Sequence, residues 1–63
     1  MVIETYTKEI LGREVTITVN RTDNKEFPYY ASCSYKGIDG KGKTADEAKS
    51  SCESATKMDL LMN

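Results

Sequence analysis

Residues Gly37, Ile38, Asp39, Gly40, Lys41, Gly42, Lys43 and Thr44 satisfy, letter for letter, the phosphate-loop pattern G-x-x-x-x-G-K-[ST]. In that pattern a glycine-rich backbone cradles nucleotide phosphates, the lysine reaches the outer phosphates and the hydroxyl holds magnesium. The chemistry needs more than eight residues, because the loop must follow a strand of a parallel sheet and another strand must bring a carboxylate to the metal. Parallel strands require crossovers of a dozen or more residues. Only residues 45 to 63 follow Thr44, their spacing is helical, and the strands before them are joined by short turns. Nucleotide hydrolysis is therefore set aside. The same eight residues read as a tight turn at Gly37, a short last strand and a helix cap.

A helix start preceded by glycine-rich backbone can still hold an anion with its free amides and a partial charge of roughly half a unit, and Lys41 and Lys43 stand close by. Asp46 and Glu47 place two carboxylates in the same first turn, which disfavours tight binding. Elsewhere the chemistry lacks parts. There is no histidine, so neither Cys33 nor Cys52 has an imidazole to activate it, and the two are too far apart for a C-x-x-C pair. Both fall on inferred inward faces and read as small buried thiols, with a disulfide as the rival. Asn20-Arg21-Thr22 fits a glycosylation acceptor and reads as a polar strand end. The chain is expected to be a non-enzyme with no catalytic residues, no metal and no cofactor.

The elements that position these residues follow from periodicity. Val15, Ile17 and Val19 alternate with Thr16, Thr18 and Asn20, the pattern of a half-buried strand. Val2 to Lys8 is equally β-prone, and Gly12 supplies a hairpin turn between the two. Pro28 precedes a third strand on which Tyr29, Ala31, Cys33 and Tyr35 share one face and Tyr30, Ser32 and Ser34 the other. Ile38 to Gly42 makes a short fourth. From Thr44 the period becomes helical, with Ala45, Ala48, Cys52, Ala55, Met58 and Met62 on the expected inner face. Thr44 with Glu47 makes a capping box, in which hydroxyl and carboxylate each satisfy a free backbone donor. The expected fold is α+β: an antiparallel three- to four-stranded meander packed on one face by a C-terminal helix, β-β-β-(β)-α.

With 63 residues and 38% apolar content, the chain is one small domain with a thin core of Val, Ile, Ala, Cys and Tyr. Such a core favours a second copy as support. Nine positive residues face ten negative ones with the signs interspersed, so bulk charge recruits neither nucleic acid nor an anionic membrane. No apolar stretch at the N-terminus has signal-peptide or membrane-spanning length, and we read the sequence as complete from Met1 and cytoplasmic.

Gly40, Lys41, Gly42, Lys43 and Thr44, followed by Ala48, Lys49, Cys52 and Ala55, give Tyr29 to Leu61 a resemblance to the C-terminal half of a double-stranded-RNA-binding domain. That family runs strand, turn, a G-x-G-x-[ST] strand and an alanine-rich helix in this order. The family's first helix is replaced here by a hairpin, and its paired lysines at the helix start become Asp46 and Glu47, leaving Lys49 at a matching basic position. Antitoxins of the HicB type look similar and serve in protein contacts. A sheet-and-helix DNA module of some tyrosine recombinases also resembles the chain in topology.

Two sets of candidate contacts follow. Lys36, Lys41, Lys43 and Lys49 surround the helix start and are the expected contacts to an anion, duplex RNA or DNA. Tyr30, on the polar sheet face with Thr16, Thr18, Ser32 and Ser34, joins Leu60, Leu61 and Met62 as expected partner contacts, because one inward stripe cannot bury both leucines and both methionines. Tyr6 extends the polar face if the register of the first strand allows it. The leading expectation is a non-catalytic protein-interaction module that self-associates as a homodimer; the alternative is a nucleic-acid-binding module.

Overall fold

The computed structural model describes residues 1–62. Strands β1 (Val2–Ile10), β2 (Arg13–Arg21), β3 (Tyr29–Cys33) and β4 (Asp39–Gly42) form one antiparallel sheet in the order β1-β2-β3-β4, and helix α1 (Ala45–Met62) follows. The α+β meander expected from periodicity is present, with the fourth strand formed. β1 runs on to Ile10, beyond the expected end at Lys8, because the hairpin turn is only Leu11–Gly12, with φ of 50° and 80°. Two left-handed residues make the turn whose twist matches that of the flanking strands. Ile10 is thereby drawn into the core instead of the turn. At its other end, β1 carries a bulge between Val2 and Glu4.

Val15, Ile17 and Val19 of β2 and Ala31 and Cys33 of β3 are buried under α1, as their alternation requires. Full burial of a Val or Ile side chain contributes about 1.5–3 kcal/mol, so β2 is the main apolar contribution of the sheet. The helix presents small residues, Ala48 and Cys52, and packs mainly over β3 and β4. Gly40 and Gly42 lie on that face of β4, opposite Ala31 and Tyr29. A Cβ at Gly40 would collide with backbone atoms of Ser51 and Cys52, and one at Gly42 with Glu47 and Ala48. The helix backbone therefore rests directly on the glycine-bearing strand.

The inner stripe of α1 departs from expectation in its last two turns. Met58 and Met62 are 58% and 81% exposed, and the stripe runs instead through Thr56, which is fully buried, to Leu60, which packs against the core. Four-residue steps from Ala48 through Cys52 and Thr56 to Leu60 keep the stripe over the sheet, while Met58 falls on the far side of the helix. Thr56 can be buried because its hydroxyl donates to the Cys52 carbonyl one turn back, at 2.9 Å.

Candidate interaction surfaces

At the helix start the cap occupies one first-turn donor and one donor just before the helix. The Glu47 N–H donates to Thr44 Oγ1 at 3.1 Å, and the Glu47 carboxylate accepts from the Lys43 N–H at 2.8 Å. The reciprocal cap expected from Thr44 and Glu47 thus forms, with the carboxylate reaching one residue before the cap. Gly37, at φ 68°, sits beside Lys36 in the β3–β4 turn, where both adopt the left-handed conformation. Each glycine of the phosphate-loop pattern thus has a structural role: Gly37 turns the chain, and Gly40 and Gly42 admit the helix.

Both thiols are free and buried. Cys52 Sγ donates to the Ile38 carbonyl at 3.7 Å, and Cys33 Sγ accepts from the Tyr35 N–H at 3.4 Å. Burial first, with the neighbouring Cys33, Asp39 and Glu53, pushes the Cys52 thiol up to about 11. A thiol so raised is neutral at physiological pH and a poor nucleophile.

The helix-side face of β1 is polar, a feature that its sequence pattern did not reveal. Glu4, Tyr6 and Lys8 stand in register with Val19, Ile17 and Val15, so all three face α1. Tyr6 is therefore not on the open face, where it had been a candidate. Its hydroxyl donates to Glu53 Oε2 at 2.6 Å, Lys8 Nζ pairs with Glu53 Oε1 at 2.6 Å, and Lys49 Nζ pairs with Glu4 at 2.5 Å and lies 5.5 Å from the Tyr6 ring centre. Burial and then the hydrogen bond to Glu53 raise the Tyr6 phenol well above its ordinary value. For Glu53 burial pushes upward, but the bonds from Lys8 and Tyr6 and the charges of Lys8 and Lys49 outweigh it and hold the carboxyl low. Beside this network an open cleft of ≈ 340 Å³ lies between the end of β1 and α1, lined by Ile10, Leu11, Ser50 and Lys57 among others.

The four candidate lysines are not gathered into one patch. Lys36 pairs with Asp59 at 3.1 Å near the end of α1, whereas Lys43 precedes its first turn. From Glu47 to Asp59 the helix rises about 18 Å at 1.5 Å per residue. Lys49 is held by Glu4 on the β1 side, and the hydrogen bonds to Asp59 and to Glu4 raise the ammonium groups of Lys36 and Lys49 respectively. Lys41 stands opposite Tyr30 on the uncovered sheet face, together with Thr5, Thr7, Thr16, Thr18 and Ser32.

Tyr30 is half-buried within that face. Of the candidate partner contacts on the helix, Leu60 turns inward and is satisfied by the core. Leu61, 62% exposed, and Met62 remain outside, and Met58 joins them at three- and four-residue spacing. These three form an apolar stripe on the outer side of the last turns. Among the described residues, no helix is long and apolar enough to cross a membrane.

No protein-family model matches this chain, and no curated protein or solved structure matches it. The likeness to a double-stranded-RNA-binding domain rests on the residues that carry it.

Proposed function

We propose that this chain is a non-catalytic cytoplasmic interaction module that works as a homodimer and docks another protein on the outer face of the last turns of α1. The observation that carries this reading is the stripe of Met58, Leu61 and Met62, exposed on a helix whose inner face is already complete with Ala48, Cys52, Thr56 and Leu60. Adaptable methionine side chains beside a leucine suit an apolar recess on a partner. The mixed-sign surface leaves recognition to shape and apolar contact more than to charge.

The test compares capture by the native chain and by a Met58→Glu/Leu61→Glu variant from its own host. Both positions are exposed, so the variant keeps its melting temperature. A partner retained by the native chain and lost by the variant supports the reading; identical capture by both removes the docking surface. The nucleic-acid reading has two of its four lysines, Lys36 and Lys49, held by carboxylates, which leaves Lys41 and Lys43 at the end of β4. An anisotropy titration with duplex RNA and DNA at low salt tests it, and affinity that falls steeply with salt would move the function to that reading.

A further inference from the structure

β1 and β4 are the two edges of the sheet. β4 is four residues long and lies under the helix, but β1 is nine residues long and α1 barely reaches it. An edge of that length offers an unpaired row of backbone donors and acceptors. Which groups face outward follows from the hairpin. Met1 and Arg21 exchange both main-chain bonds, at 3.0 and 2.7 Å, and the two-residue turn closes on Ile10 and Arg13. The odd residues of β2 therefore bond to β1, while Thr16 and Thr22 bond toward the β3 side. On β1, Glu4, Tyr6 and Lys8 direct their backbones to β2, and Thr5 and Thr7 direct theirs to solvent.

We infer that β1 pairs antiparallel with β1 of a second copy, about a two-fold axis at Tyr6, joining two sheets into one of eight strands. This interface rests on the homodimer reading given above and specifies where that dimer forms. Backbone parity allows only registers that place outward-facing residues opposite each other. Centring on Tyr6 sets Thr5 against the second copy's Thr7, where they exchange main-chain bonds. It also sets Glu4 against Lys8 on the helix side, twice, so opposite charges stand directly across the junction. Centring on Glu4 or Lys8 would oppose like charges, and centring on Thr5 or Thr7 leaves both charges without an opposite partner. Each Glu4 is already held by Lys49 and each Lys8 by Glu53, so the interchain pairs join two existing ion pairs into one chain of alternating sign. In this register the bulge between Val2 and Glu4 ends regular pairing at Glu4 and, through the two-fold axis, at the second copy's Lys8, so Glu4–Lys8 of each strand take part. The contact is isologous and closes on itself, so it makes a dimer and no fibre.

Cysteines at Thr5 and Thr7 test the register, since both side chains lie on the exposed face away from the native thiols. Under mild oxidation a mixture of Thr5→Cys and Thr7→Cys chains is expected to give a disulfide-linked dimer between the two variants, identified by mass, several-fold faster than either alone. Rapid linkage of Thr5→Cys or Thr7→Cys with itself would overturn the register. Thr7→Pro removes an outward N–H without touching the β1–β2 bonds, and it is expected to sediment as a monomer with an unchanged circular dichroism spectrum. A native chain that stays monomeric at high micromolar concentration overturns both this interface and the homodimer reading. A native dimer that survives Thr7→Pro and gives no mixed link overturns the interface alone.

Discussion

Replacing Gly40 with alanine adds one methyl group at the tightest contact between sheet and helix. Its Cβ would overlap the backbone of Ser51 and Cys52, in the most buried turn of α1, where no flexible side-chain end can swing aside. Overpacking of this kind costs about 1–3 kcal/mol, and rigid backbone neighbours put Gly40→Ala at the upper end. The lost freedom of the unfolded chain offsets about 0.4–1 kcal/mol. The balance is a loss of about 2 kcal/mol, out of roughly 3–5 kcal/mol that a single core of this size supplies. For a domain this small each kcal/mol moves the melting temperature by about 4–8 °C, so thermal melting should fall by about 8–16 °C. Lys41→Ala, on the exposed residue next in the strand, should stay within about 0.5 kcal/mol of the native chain. Both are read by circular dichroism melts and urea titration at fixed protein concentration, because a dimer makes the midpoint concentration-dependent. A Gly40→Ala chain that melts at or above the native temperature would refute the close-approach account. The unfolded-state effect would then be acting alone, and the glycines would need another explanation.

The helix cap gives a second prediction: Thr44→Ala should cost about 1 kcal/mol in a urea titration, through loss of the bond to the Glu47 N–H. Acid stability should depend on Glu53. Its carboxyl is held low in the folded chain, so its contribution is present above the unfolded carboxylate pKa and is lost as pH falls through the folded value; melts of Glu53→Gln should respond less to acid. At the alkaline end the sign reverses, because the Tyr6 phenol is raised above 10.0: its contribution is full below that pH and lost progressively above it, so Tyr6→Phe should lose less stability than the native chain as pH rises above 10.0. Cys33 and Cys52 should react with an aromatic disulfide reagent only at the rate of unfolding, with immediate reaction in urea. Fast labelling of the native chain would mean that the helix opens from β3 and β4 far more readily than its packing implies.

Much of the fold could be read from single residues. The strict alternation of β2 placed Val15, Ile17 and Val19 inside, and Ala31 and Cys33 followed on β3, because a strand with one buried face has a period of two and little freedom of register. Thr44 and Glu47 marked the helix start, since capping is a local exchange of hydrogen bonds. β1 resisted the same treatment: Glu4, Tyr6 and Lys8 face the helix without being apolar, so no alternation of hydropathy marks that face. Thr56 was missed for a similar reason. A hydroxyl that bonds the preceding turn is buried as readily as a methyl group, and only its place four residues beyond Cys52 hinted at this.

The phosphate-loop letters divide along the same line. Short connections already pointed to the antiparallel sheet that forms, because strand direction is limited by the length of the connection. What Gly40 and Gly42 do instead depended on the tertiary structure. A missing Cβ permits a left-handed turn and permits close approach equally well, and only the position of α1 on β4 decides between them. The same holds for the lysines and the helix end. Composition could count the charges and the surplus apolar side chains, but packing determined that Glu4 takes Lys49, Asp59 takes Lys36 and the core takes Leu60. Packing likewise determined that Met58, Leu61 and Met62 stay exposed and that β1 lies at the edge of the sheet.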